Sequence, residues 1–468
     1  MKLNIKSSLL IGFLCLTILG SCKKEFLNLP PYTAVDEKEA LLTDTDLLSA
    51  VTGTYAGMRV FDLYGRSIPL MGDLWADNVT LSTRNAGRYT EIFNLNFVIN
   101  NQWYTGIWTN AYRVINRANN IIHSTPTGNE VNINQYKGEA YAIRALMYFE
   151  LVRFFARPYT DNPNGMGVPL VLKFDIEGMP ARNTVDEVYK QVLADLGQAY
   201  TLITTGTNTS RFTKYVVRAL EARVNLHKGN NATYQLALNE AKEVIDNSKV
   251  TLVPASGLGA YWNATGSNTL KTETLFELVS DQIDNAGFDE LAYFFGQQGY
   301  GDGLAYKSLY DLYSATDERK KLIEVGVRAN AENPAFIIKK YPDLEKYGTK
   351  KILRISEMYL TAAEAAYNLG QEGVARDYLA ALLKERDAAA TVTELGAALF
   401  ERIILERRKE LVFECDRYHT YRLKREVTGR ERSQAPTIPY SNFRRIAPIP
   451  QTELDRNPEL KQNDGWEQ

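Results

Sequence analysis

Between Thr213 and Asn247 two helical stripes meet across a short turn. Ala219, Ala222 and Leu226 recur at helical spacing, Gly229-Asn230 breaks the run, and Tyr234, Ala237, Ala241 and Val244 resume it. The pattern returns near 352–387, where Ile355, Tyr359, Ala362, Ala366 and Leu369 precede Gly370, and Val374, Tyr378 and Ala381 follow it. Small residues at a crossing let two helix backbones approach closely, and a neighbouring ring fills the groove beside them. Two wider pairs are predicted near 44–123 and 134–203. The first carries Leu47, Val51, Tyr55 and Met58, then Ile107, Ala111, Ile115, Ala118 and Ile122; the second carries Tyr141, Ala145, Tyr148, Val152 and Phe155. Its partner helix should start after Thr184, because Glu187 stands three residues on, at capping-box spacing.

One such pair cannot bury its own apolar face, so the pairs must stack. The expected fold is mainly α, a tetratricopeptide-type helical solenoid of about four helix pairs, with large irregular insertions near 61–102, 248–351 and 390–468. Insertions in repeat folds gather on one side, often the binding side.

The chain start adds a location. Lys2 and Lys6 precede an apolar or small run from Leu9 to Leu19, which suits a signal segment and is too short to span a bilayer. Leu19-Gly20-Ser21-Cys22 closes it and resembles a bacterial lipobox. That resemblance implies a leader over 1–21 and lipid on Cys22, holding the body at a membrane without a spanning helix. Residues 22–36 read as a tether, since Pro30 and Pro31 cannot continue a helix, and 37–468 as one domain.

Composition removes other classes. The 54 basic and 56 acidic residues nearly cancel, with no separate basic face, so nucleic acid is not an expected partner. Once Cys15 leaves with the leader and Cys22 is lipidated, Cys415 cannot close an internal disulfide. His123, His227 and His419 lack ligand spacing, so no metal or cofactor is expected, although a structural calcium ion is compatible with the reading.

Three segments near the C-terminus carry a family resemblance: Ile352 to Leu360 with Ala363-Glu364-Ala365, Arg407 to Glu414 with Arg417-Tyr418, and Pro448-Ile449-Pro450-Gln451 with Gly465-Trp466. Trp108, Tyr112, Asn116 to Asn119 and Arg144-Ala145 add earlier matches. Together they resemble the SusD/RagB family over nearly the whole chain. Cys415 departs from it, standing where the family usually has glycine. The resemblance implies an outer-membrane lipoprotein on the cell surface of Bacteroidetes-type bacteria. It would capture an oligosaccharide and pass it to a SusC-like TonB-dependent transporter. A peptide ligand is the alternative within the family, and a glycoside hydrolase is a more distant one.

Sugars stack on aromatic rings beside acids, amides and arginines. The 61–102 insertion offers Tyr64, Trp75, Asp77, Asn78 and Arg84; the 248–351 insertion offers Trp262, Tyr300 and Asp302. Trp75 to Asn78 also resembles, by position, a ligand-contacting stretch of the family's starch-binding member. Trp103, Trp108, Phe294 and Phe295 are expected to be packing residues. A hydrolase needs two carboxylates across a cleft; Asp77 with Asp281, Asp289 or Asp302 could be imagined as such a pair, but no sequence feature marks one. The charged run from Glu401 to Arg432 reads as an ion-paired helix surface.

Overall fold

Thr43 opens the first helix by a reciprocal cap, its hydroxyl accepting from the Asp46 N–H while Asp46 accepts from the Thr43 N–H. The structure, a computed structural model, describes residues 41–467 apart from 176, 205, 207, 265–270 and 342–347. The expected leader, Cys22 and the tether lie outside the described residues. The principal helices are α1 (Asp44–Met58), α2 (Ser67–Trp75), α3 (Gln102–His123), α4 (Glu130–Phe155) and α5 (Val185–Leu202). They continue as α6 (Lys214–Lys228), α7 (Asn231–Asn247), α8 (Ile355–Asn368), α9 (Glu372–Lys384) and α10 (Gly396–Glu410). Six short strands accompany them among the described residues: β1 (Val79–Leu81), β2 (Thr274–Leu278), β3 (Gly303–Ala305), β4 (Ile323–Gly326), β5 (Ala335–Ile338) and β6 (Lys350–Arg354).

The four expected pairs form: α1 with α3, α4 with α5, α6 with α7, and α8 with α9. Each pair packs on the next, and α8 lies directly on α7 although a long excursion separates them in sequence. The stripe alanines are the buried crossing points, with Ala219, Ala222, Ala237, Ala241, Ala362 and Ala366 fully covered. Tyr359 and Tyr378 meet edge to face at 6.3 Å, as their stripes predict. The Thr184–Glu187 capping box is present. Gly229 ends α6 in the left-handed region at φ +67°, which glycine enters without steric cost, and Asn230 then caps α7 through the Thr233 N–H.

Arg144 of α4 donates to Asp195 of α5 at 2.7 Å and to Asn119 of α3 at 2.8 Å, so these motif residues join three helices. The closing segment returns to α4. Asn463 donates to the Phe155 and Ala447 carbonyls, and the Trp466 indole N–H donates to Ile446.

Between α6 and α7, Glu240 accepts both contacts of the Asn225 amide at 3.0 and 3.1 Å. Burial raises its pKa to about 8, which the amide only partly opposes. The folded state therefore holds a proton that the unfolded chain releases near pH 4. Stability from this group is complete below the unfolded value and is lost as pH rises toward the folded one. Glu240→Gln is expected to raise the melting temperature by about 2–4 °C near pH 9 and to leave it unchanged near pH 4, as read by calorimetry.

Three expectations are corrected. The helix predicted from 352 begins at Ile355, because Lys350–Arg354 pairs antiparallel with β2. The 61–102 stretch is no peripheral insertion: every residue of α2 is buried, as its apolar sequence requires, and Gly72 lies so close to Cys415 that a Cβ would fall 2.8 Å from the sulfur. Cys415 sits in the left-handed region at φ +71°, the physical reason glycine suits that position. The charged run is likewise not a solvated face, since Glu406, Arg407, Lys409 and Glu410 are buried. Arg354, Arg386 and Arg319 converge on Glu410 there, at 2.8, 2.9 and 3.4 Å. Only at its edge is the pattern as expected, in the exposed Arg425–Glu401 pair.

Candidate functional site

The two excursions that interrupt the helix pairs are tied by strand pairing. β1 runs antiparallel to β3, with Val79 opposite Ala305 and Leu81 opposite Gly303. This register brings the 82–88 turn beside the 293–302 segment, and the Ser82 N–H donates to the Asp302 carbonyl at 2.8 Å.

A string of partly exposed rings runs along that segment. Phe288 meets Tyr293 at 5.0 Å between centroids, and Tyr293 meets Tyr300 at 5.5 Å, both edge to face. Tyr293 stands on the one half-buried position of a helical turn, Leu291–Phe295, whose other residues are all buried. The Arg88 guanidinium lies 3.6 Å from the Tyr300 ring centre and also donates to the Asp302 carboxylate at 2.9 Å. Beneath, Arg328 donates to the Tyr300 carbonyl at 2.8 Å and to Gln297 at 3.0 Å. Gly301 makes this approach possible: it sits at φ +55°, and a Cβ there would fall 2.1 Å from the Arg328 nitrogen.

The rim is polar. Arg84 is exposed and donates to the Ala329 carbonyl at 3.0 Å. Glu332 accepts from the Thr83 N–H, the Ser82 hydroxyl and Arg432 at 2.7–2.9 Å. Burial works to raise its pKa, but these donors outweigh it and bring it to about 2. Asp302 moves the other way: burial lifts it above the ordinary range against the pull of Arg88. Beyond Phe288 the face ends at Ile283, which is 96% exposed.

Of the residues chosen from sequence, Tyr300, Asp302 and Arg84 come together on this face. The other five do not. Tyr64 is buried with its hydroxyl donating to Glu150 at 2.6 Å. Trp75 is 1% exposed and packs edge-on to Tyr418 at 4.8 Å. Asp77 accepts two hydrogen bonds from Arg417, at 2.7 and 2.8 Å, and pairs with Arg408. Burial opposes its ionisation, but Arg417 and then Arg408 prevail and hold the carboxyl below its usual range. Asn78 is fully buried between Asp73 and Arg408. Trp262 lies on a short helix, Leu258–Asn263, where a loop is expected. There it forms a small core with Val253, Leu258, Tyr261 and Leu322. The expectation that Trp75 and Trp262 offer open ring faces is therefore corrected: neighbouring rings and cations already cover them.

Phe288, Tyr293, Arg88 and Arg328 are members of the face that sequence reasoning missed. Gly87 before Arg88 and Gly287 before Phe288, both at positive φ, are the local signals of exposed turns. Among the described residues no group of three or more His, Cys, Asp or Glu is arranged to hold a metal. No described helix is long and apolar enough to cross a membrane.

Stacked helix pairs with one lateral face built from their excursions define a helical-repeat binding protein. Residues 26–226 match a family described as starch-binding and associating with the outer membrane, and residues 324–466 match the SusD family. The chain belongs to the SusD/RagB family. SusD-like protein P2 of Formosa agariphila is 28% identical over 482 residues, covering 90% of this chain and 92% of its own. A solved SusD superfamily protein from Bacteroides vulgatus is 27% identical with a TM-score of 0.83, covering 92% of this chain and all of that one (100%). A laminarin-binding SusD-like protein shares the fold at 19% identity, with a TM-score of 0.73 over 91% of this chain and 100% of that one. The family is one of carbohydrate-binding proteins associated with the outer membrane.

Proposed function

We propose that this protein is a lipid-anchored receptor on the outer-membrane surface that captures an oligosaccharide and delivers it to a SusC-like TonB-dependent transporter. Lipidated Cys22 would hold the body at the membrane, consistent with the lipobox spacing. The observation that carries the reading is the ring string Phe288–Tyr293–Tyr300, partly exposed and flanked by Arg88, Arg84 and Asp302. Rings beside forked donors suit the flat apolar faces and hydroxyls of a sugar.

The reading is of a receptor and not a catalyst. Hydrolysis of a glycosidic bond needs one carboxyl kept protonated and a second free to act as base or nucleophile. Here Asp77, Asp302, Asp289 and Glu332 are each engaged by an arginine.

Isothermal titration against glycans and peptides tests this. Tyr300→Ala is expected to weaken glycan binding about tenfold, the scale of one lost stacking contact with its partner groups, while the melting temperature moves little. A triple alanine variant of Phe288, Tyr293 and Tyr300 that binds as the parent does would refute the assignment. Binding confined to peptides would move the protein to the other branch of its family.

A further inference from the structure

The Tyr300 end of the ring string is set among arginines, while Asp284 and Asp289 stand at the Phe288 end. Arg328 is 8% exposed, and among the described residues no ion pair joins it to a carboxylate. Its Nε–H is buried with no acceptor among the described residues. A guanidinium taken out of water without a counter-charge is costly, and a nearby anion offsets that cost. Asp302 is a carboxylate on which this group bears, and it is shared. It pairs with Arg88 at 2.9 Å, while Arg328 and Arg66 also bear on it. Arg66 in turn meets Asp289 only at 3.3 Å. On the rim, Glu332 is taken up by Arg432 and by the 82–83 backbone turn.

Arg84 and Arg88 are accessible cations nearest the Tyr300 end, while the exposed Arg432 is paired with Glu332. Each guanidinium has five N–H donors, of which Arg84 gives one to Ala329 and Arg88 gives one to Asp302. The remaining donors stand beside Tyr300 and the 328–329 turn, where a ligand on the ring string would place its substituents.

Resting on the glycan-receptor reading above, we propose that this face selects an anionic glycan. Its carboxylate or sulfate would pair with Arg84 and Arg88 above the buried Arg328, while a sugar ring lies along Tyr293 and Tyr300. A neutral sugar can use the rings, but it leaves the Arg328 charge uncompensated.

The test is calorimetric titration of the full-length protein in detergent. The probes are uronate oligosaccharides and their carboxyl-reduced, neutral counterparts, with sulfated and desulfated galactan oligomers as a second set. At least one acidic probe should bind about tenfold more tightly than its neutral counterpart at low salt, with the advantage shrinking as salt screens it. The set that shows the difference identifies carboxylate or sulfate as the recognised group. Arg84→Gln, an exposed change that should fold normally, is expected to remove most of the advantage, and Arg328→Gln the rest. Equal affinity for acidic and neutral members, both abolished by Tyr300→Ala, would overturn the charge preference and leave the receptor reading standing. If no probe in either set binds, the charge preference is overturned, and the receptor reading is decided by the wider glycan and peptide titration above.

Discussion

Replacing Glu410 by glutamine is expected to lower the unfolding free energy by about 3–5 kcal/mol, the cost of removing one member from a buried ion network. Glu410 is 3% exposed and receives Arg354, Arg386 and Arg319 at 2.8, 2.9 and 3.4 Å. Arg386 and Arg354 also hold Glu273, and Arg354 holds Glu414. One carboxylate thus joins α10 to the strand before α8, to the end of α9 and to the excursion. The amide would keep the shape, but it would leave three guanidiniums short of a charge and turn an N–H toward at least one of them. Burial works against ionisation of Glu410, and Arg386, Arg354 and Arg319 overcome it, so its carboxyl titrates far below the usual range. For a depressed carboxyl the stability is present above the unfolded value and lost only as pH falls through the folded one. The gap between parent and variant in urea unfolding should therefore persist down to about pH 4 and close in stronger acid. A gap below about 1 kcal/mol at neutral pH would mean that water already solvates the network, as at a surface pair.

Trp262→Ala is the second large effect, and it falls on stability. The ring is 4% exposed, meets Tyr261 at 5.4 Å and Tyr341 at 6.1 Å, and has Lys340, Lys351 and Arg354 within 5.1 Å of its centre. Truncating a buried tryptophan costs about 3–5 kcal/mol, through lost burial and the cavity left behind. Here three cations would also lose the ring face they lie against. The expected result is a clear drop in melting temperature for Trp262→Ala and a much smaller one for Trp262→Phe. Glycan affinity of the protein that stays folded should remain within about twofold, because separated sites act independently. A stable Trp262→Ala variant that no longer binds glycan would return Trp262 to the ligand face.

These two outcomes mark where reading residues in order succeeded and where it did not. Helix stripes such as Ala219–Ala222–Leu226 and the Thr184–Glu187 cap are set by neighbours three or four residues apart, so their periodicity reports the element directly. The glycines around Tyr300 were also legible, because Gly301 adopts a backbone that other residues rarely take. Ring exposure is another matter. Trp75 is followed by Asp77 and Asn78, and Trp262 stands among small and polar residues, yet Tyr418, Arg445 and Tyr341 close over them from far along the chain. Nor does a run of mixed charges reveal its environment: Glu401 and Glu410 lie on the same helix, one in solvent and the other sealed among arginines.

By itself, then, the sequence determined the helix pairs, the turns between them and the way their alanine faces must stack. Each of these follows from bonds and contacts a few residues long. Only the tertiary structure decided which side chains are open to a ligand. It did so through the β1–β3 pairing, which joins two distant excursions into one face, and through remote contacts that bury Tyr64, Trp75 and Trp262 elsewhere. Exposure belongs to the assembled surface, and no local pattern encodes which remote segment will cover a given ring.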